Sequence, residues 1–247
     1  MKDEEILKYN LEKELKISFQ AIFSLKEEKI VSYEVFSKFD GENFNDLSTE
    51  EIIKKLENLN IVHILDFIVL EKIERYLTEK NINLCINISS KTIVKEEFLE
   101  RIERLNEGVK NLQIEITERG RFSYTDFIHK IIRLNKMGIK VVMDDFPVAS
   151  SNLENLLKTH IDGVKLDREL IKYMGNDKGK RIYKKIVDLL KAVGNEITAE
   201  GVETEEELNF VKEAGVDLVQ GYFIHRPITE EEFIKKIKAK KGMCLIN

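Results

Sequence analysis

The sequence predicts an α/β fold, namely a modified (β/α)8 barrel of the TIM type with one antiparallel strand near the N-terminus. Two observations carry this. From residue 84 onward, short apolar runs alternate with amphipathic stretches of helical period, and such alternation with short links implies a parallel sheet covered by helices. Several of those runs also end on an isolated polar or charged residue: Asn87, Glu115, Asp144 with Asp145, Lys165 with Asp167, Glu200 and Gln220. Barrel enzymes build their sites from side chains delivered by several strands to one end of the barrel.

Taken in order, residues 1–16 place Ile6, Leu7, Leu11 and Leu15 at helical spacing and predict an amphipathic helix. Residues 17–25 and 29–38 read as two strands joined by the charged turn Lys26-Glu27-Glu28, a hairpin and hence the antiparallel pair. Helices are expected over 49–58 and 62–79, the first with a capping signal in Ser48-Thr49-Glu50-Glu51. Strands at 84–88, 112–117, 140–144, 163–166, 196–199 and 218–220 then alternate with helices at 92–104, 124–137, 152–159, 179–193, 205–214 and 230–239, with a short helical segment at 168–173. An open doubly wound sheet shares this alternation. No Gly-x-Gly-x-x-Gly follows any strand, so its dinucleotide-binding form loses support. One domain is expected, with residues 1–16 as an N-terminal helix and 17–247 as the barrel.

With 247 residues, 43% of them apolar, the chain can bury one large core. The net charge of −5 argues against DNA or RNA as the main partner, which would call for a basic face. The lysines of 235–241 read as a helix C-terminus favoured by the helix dipole. Cys85 and Cys244 are too far apart for a metal pattern or a disulfide framework. No apolar stretch approaches membrane-spanning length, and Met1-Lys2-Asp3-Glu4-Glu5 lacks a signal-peptide core, so a cytoplasmic protein is expected.

Strand parity sorts the chemistry. Asn87 opposes Ile86 and Ile88, Glu115 opposes Ile114 and Ile116, and Asp144 opposes Met143, while Lys165 and Asp167 share a face. If the apolar residues face the helices, the polar set faces the barrel axis. Taken singly, an acid at a strand end is more often a helix N-cap or a loop charge, and the conjunction is what points to a site. Buried carboxylates demand pairing or metal, and one lysine is too little to neutralise them. The donors are oxygens without histidine, which suits Mg2+ or Mn2+ better than zinc. Two such ions sharing an aspartate could hold a hydroxide in line with a phosphorus atom. His63, His129, His160 and His225 fall outside the set.

These residues resemble a known family. Tyr33-Glu34-Val35-Phe36-Ser37-Lys38 is similar to the Tyr-Glu-Ala-Leu-x-Arg signature of the EAL-domain cyclic-di-GMP phosphodiesterases. Ile86-Asn87-Ile88-Ser89, Leu112 to Glu118, Met143-Asp144-Asp145-Phe146, Val164 to Arg168, Ala199 to Thr204, Val219 to Tyr222 and Arg226-Pro227 resemble its further motifs, in the family's order and along essentially the whole chain. The resemblance implies hydrolysis of cyclic di-GMP to linear pGpG with two Mg2+ or Mn2+ ions. By matching motif it makes Glu34, Asn87, Glu115 and Asp144 ligands of one metal, and Asp144 with Asp145 ligands of the other. Lys165 is then the residue that positions the nucleophilic water, Glu200 an essential glutamate beside the metals, and Gln220 a polar substrate or water contact. Gln20, Lys38 and Asp66 fall where the family contacts the dinucleotide, and Glu118 and Glu203 where it anchors a loop. A homodimer and a signalling partner are implied as well.

The chain departs from the family after Asp145, where Pro147-Val148-Ala149 replaces a glycine-bearing loop. Proline fixes φ and removes a donor, so slow turnover is expected. The alternative reading is a catalytically weak cyclic-di-GMP receptor. Lys38 stands where the family has arginine, a point charge in place of a bidentate fork.

Overall fold

A computed structural model describes residues 2–78, 82–117, 124–147, 156 and 160–243. Helix α1 (Lys2–Glu14) leads into the hairpin of β1 (Leu15–Ser24) and β2 (Lys29–Phe39), then α2 (Thr49–Asn58) and α3 (Val62–Leu77). There follow β3 (Leu84–Ser89), α4 (Ser90–Ile93), α5 (Glu96–Arg104), β4 (Leu112–Thr117), α6 (Tyr124–Lys136) and β5 (Lys140–Phe146). Then come β6 (Gly163–Leu166), α7 (Arg168–Lys172), α8 (Asp177–Ala192), β7 (Glu196–Ala199), α9 (Glu205–Ala214), β8 (Leu218–Val219), β9 (Ile228–Thr229) and α10 (Glu230–Met243).

The sheet closes. Strands β2 to β8 follow one another in parallel, and β1 completes the ring by pairing antiparallel with both β2 and β8. The hairpin register sets Gln20 opposite Glu34. The outward strand residues Ile86, Ile88, Ile114, Ile116, Val141, Met143, Val164, Leu166 and Ile197 are all buried beneath the helices. Phe233 of α10 stacks on Phe19 at 3.8 Å between centroids and meets Tyr33 and Tyr76 edge-on, which pins the last helix to the hairpin. Ser48 and Glu51 form the expected capping box on α2.

Two details differ from expectation. The helix predicted over 92–104 is broken into α4 and α5, because Val94 ends the first and the extended Lys95 starts the second. Strand β9 is two residues long, too short to show a period of two, and pairs with Ser18 and Phe19 of β1. The helix expected at 152–159 lies outside the described residues, apart from a buried Leu156. Among the described residues no helix is long and apolar enough to cross a membrane.

Candidate active site

Each strand of the barrel contributes one inward polar residue at the same level. Gln20 (β1), Glu34 (β2), Asn87 (β3), Glu115 (β4), Asp144 (β5), Lys165 (β6), and Glu200 and Gln220 just beyond β7 and β8 form a single ring. Hydrogen bonds and ion pairs run around it. Asn87 Nδ2 donates to Glu34 Oε1 at 2.8 Å, and Gln220 Nε2 donates to Glu34 Oε2 at 2.8 Å and to Gln20 Oε1 at 3.1 Å. Gln20 Nε2 reaches the His225 carbonyl at 3.0 Å.

Lys165 is the hub. Its side chain is 2% exposed, and Nζ lies 2.6 Å from Glu200 Oε1, 2.8 Å from Glu115 Oε2, 3.0 Å from Glu34 Oε2 and 3.2 Å from Asp144 Oδ1. Burial opposes charge on this ammonium, but Asp144, Glu115, Glu200 and Glu34 together lift it well above the ordinary lysine range. One cation cannot satisfy four anions equally. Burial pushes Glu34 up, yet Lys165, Gln220 and Asn87 outweigh it and hold this carboxyl below its usual range. Burial and the Glu34 charge drive Glu115 well up. Burial raises Glu200 to about 8 against the pull of Lys165, helped by Asp144 and Glu34. Glu34, Glu115 and Glu200 thus share one ammonium, and burial pushes Glu115 and Glu200 upward beside it.

Asp144 and Asp145 are adjacent, so strand parity alone would send them to opposite faces. The β5–β6 register shifts between Met143 and Phe146, and Asp145 takes a positive φ of 53°. A bulge of this kind re-aims a side chain, and aspartate tolerates the left-handed region better than most residues. As a result one carboxylate oxygen each from Asp144, Asp145 and Glu200 lies within 4.8 Å of the others.

The residues present fit a divalent cation. Among the described residues Asn87 Oδ1, Glu115 Oε1 and Gln220 Oε1 are buried acceptors without a hydrogen-bond partner, in a ring that carries several carboxylates. Asn87 with Glu115, and the Asp144–Asp145–Glu200 group, are the oxygen donors that could hold metal. Gly201 shapes the approach: its φ is +67°, and a Cβ there would sit 2.4 Å from that of Arg168. Gly221 is as constrained, since a Cβ would come 2.1 Å from the Val202 carbonyl oxygen.

Other predicted residues lie elsewhere. Asp66 is buried, but Oδ2 accepts from Ser89 N–H at 3.2 Å and from Thr92 Oγ1, so it ties α3 to the end of β3. Asp167, expected to share the face of Lys165, instead caps α7 by accepting from Glu169 N–H at 2.6 Å. The strand has ended by then, and parity no longer applies. Lys38 and Glu203 are exposed, and the Glu203 N–H donates to Glu207 Oε2 at 2.6 Å. Glu118, with Val148 and Ala149, lies outside the described residues. Asp162 accepts from Val141 N–H at 2.8 Å and holds a turn.

Beside the ring opens a cavity of about 470 Å3, lined by Phe36, Ile53, Leu65, Glu57, Asp66 and Asn87 among others. Glu57, 8% exposed, was not singled out in the sequence, although it stands four residues after Ile53 on the inward face of α2. Burial, with help from Glu57, raises Asp66 from 3.8 to about 7, against the bonds from Thr92 and Ser89. The sign follows from proton uptake on folding. Stability from this group is complete below pH 3.8, falls as the pH rises and is lost above about pH 7. Asp66→Asn is therefore expected to flatten the pH dependence and, at pH 8, to stabilise the protein by about 1 kcal/mol or more. Urea midpoints at pH 5 and pH 8 test this, and an equal loss at both pH values would contradict it.

A family model described as EAL domain matches residues 4–227. Two similar proteins of Escherichia coli K12, described as the probable cyclic di-GMP phosphodiesterases PdeG and PdeA, are 24% identical over 240 residues and 28% identical over 201 residues. The matches cover 92% and 77% of this chain, which spans only 47% and 27% of the two relatives. The EAL enzyme Bd1971, solved with cAMP and cyclic-di-GMP bound, aligns with a TM-score of 0.81 at 25% identity over 96% of this chain and 69% of that one. An EAL domain protein from Listeria monocytogenes EGD-e shares the fold at a TM-score of 0.81 and 24% identity, covering 96% of this chain and 97% of its own.

Proposed function

The chain belongs to the EAL domain family, and from that membership we propose that it hydrolyses one phosphodiester of cyclic di-GMP to linear 5'-pGpG with Mg2+ or Mn2+. The observation that carries this reading is the ring itself: one buried lysine against four carboxylates, with acceptor oxygens of Asn87 and Glu115 left over.

Glu34, Asn87, Glu115 and Asp144 are assigned to one metal, and Asp144 with Asp145 to a second. When bound, the ions supply positive charge for the phosphate oxygens and lower the pKa of a water molecule. The protein's own residues do the rest. Lys165 orients the attacking water and offsets the charge that grows on the phosphate. Glu200, a fifth exposed, is held to Lys165 through Oε1, and its other oxygen is assigned the water's proton. Gln220 holds the Glu34 carboxylate in place, and Gln20 holds Gln220. The neighbouring cavity suits a purine. Phe36, Ile53 and Leu65 offer apolar walls, and the carboxyl groups of Glu57 and Asp66 suit the N–H donors of a guanine edge. Lys38, exposed at the end of β2, is assigned to the dinucleotide phosphate as a point charge, and Glu118 and Glu203 to the loop anchoring that the family resemblance implies.

Pure protein incubated with cyclic di-GMP and Mg2+ or Mn2+ is expected to yield pGpG, with Glu34→Ala reducing the rate at least a hundredfold. Binding without turnover would replace the enzyme by a receptor, and neither binding nor turnover would end both readings. The same family membership supports a cytoplasmic homodimer working with a signalling partner, the first point being testable by light scattering.

A further inference from the structure

Glu14 is a buried acid outside the ring. It is the last residue of α1 and stands between Leu11 and Leu15, whose burial roots the end of the helix in the core. Glu14 itself is only 4% exposed, and among the described residues no ion pair engages it. A buried carboxylate without a cation is costly unless hydrogen bonds compensate it. Its bonds come from one residue: Asn43 N–H donates to Oε2 at 3.1 Å, and Asn43 Nδ2 donates to Oε1. The facing chain leaves room for the carboxylate, since a Cβ on Gly41 would fall 2.2 Å from Glu14 Cδ. The Glu14 carbonyl takes a further bond from Asp40 N–H at 3.0 Å.

These contacts fasten residues 40–47, which have no helix or strand of their own and run from the end of β2 to Ser48, the N-cap of α2. Phe44 packs on Phe39 at 5.1 Å between ring centroids, and Leu47 N–H donates to the Phe44 carbonyl at 3.1 Å. What the segment positions is α2. Ile52 and Leu56 of that helix enter the core, while Glu50, Ile53 and Glu57 form one wall of the cavity beside the ring. The ring residues stand on or just beyond the strands, and none of them is on α2.

We infer, on the cyclic-di-GMP reading given above, that Glu14 is a positioning residue for the substrate. By holding residues 40–47 it sets where the α2 wall of the cavity stands, and hence the grip on a bound base. Loosening α2 alters contacts that a base makes equally in the bound and the reacting state. The ring that performs the chemistry stays in place. Such a loss of uniform binding raises KM and spares kcat. A Glu14 that served the fold alone would lower the melting temperature on removal and leave KM as it was.

The test follows pGpG formation by the whole protein and by Glu14→Ala, Glu14→Gln and Gly41→Ala, with circular dichroism to check that each is folded. Glu14→Ala is expected to raise KM for cyclic di-GMP about tenfold and to keep kcat within about twofold. Glu14→Gln keeps one acceptor oxygen and should raise KM about threefold. Gly41→Ala should reproduce the larger rise, because its methyl group displaces the Glu14 carboxylate. Glu14→Ala combined with Gly41→Ala should show that rise once and not twice, since no carboxylate is left to displace. For a parent that binds cyclic di-GMP without cleaving it, the dissociation constant by calorimetry replaces KM in the same four comparisons. An unchanged constant in Glu14→Ala or Gly41→Ala, a kcat that falls as KM rises, or rises that multiply in the double variant would overturn the role of Glu14 and leave the cyclic-di-GMP reading standing. A parent that neither binds nor cleaves cyclic di-GMP would overturn that reading, and the role of Glu14 with it.

Discussion

Lys165→Met is expected to lower activity by at least about a thousandfold and, in EDTA, to destabilise the protein by about 3–5 kcal/mol. The lysine is the direct counter-ion of Glu34, Glu115, Asp144 and Glu200, and it is almost wholly buried together with Glu34 and Glu115. Methionine keeps the volume of the stem and removes the charge. The carboxylates left behind must then take up protons or repel one another, since burial has already pushed Glu115 and Glu200 upward with the ammonium present. A divalent cation would supply that positive charge, so added Mn2+ should recover much of the lost thermal stability and none of the lost rate. Recovery of stability without rate would separate the electrostatic role of Lys165 from its role toward the attacking water. A variant that melts with the parent in EDTA would show that the four contacts contribute nothing to folding.

The ring also shows how far the sequence could be read. Asn87, Glu115, Asp144 and Lys165 were found by parity alone, because an apolar strand with one polar residue out of phase leaves that residue nowhere to go but the barrel axis. Parity fails where the strand does. Asp167 lies one residue beyond β6 and turns to cap a helix, and Asp145 reaches the site only because a bulge reverses its direction. Long-range contacts were the least legible. The bonds from Gln220 to Gln20 and Glu34 close the ring between the last strand and the first two, and nothing local in the sequence announces that closure. Asp66 was read as a substrate contact from resemblance. Its Oδ2 takes the bonds from Ser89 and Thr92, so a contact with a bound base falls to Oδ1, on the wall of the cavity that Glu57 shares.

Glu115→Gln should separate stability from function most sharply. Glu115 is fully buried, one of its oxygens takes a bond from Lys165 and the other has no partner among the described residues. Its ionised form is disfavoured first by burial and then by Glu34, with Asp144 adding to both. A neutral amide removes that repulsion while keeping an acceptor for Lys165, and its N–H groups can donate to the surplus carboxylates around it. The variant is therefore expected to melt at or above the parent temperature in EDTA. With Mg2+ or Mn2+ the order should reverse, because the amide is a weaker ligand than a carboxylate and the cation-induced rise in melting temperature should shrink. Turnover should fall at least about a hundredfold. Should Glu115→Gln instead melt lower in EDTA and keep the full cation-induced rise, Glu115 would be a structural partner of Lys165 and the ligand assignment would be wrong. A group that costs stability in EDTA and recovers it with a cation would be held there for binding, and among the described residues Glu115 Oε1 has no hydrogen-bond partner to give it another role.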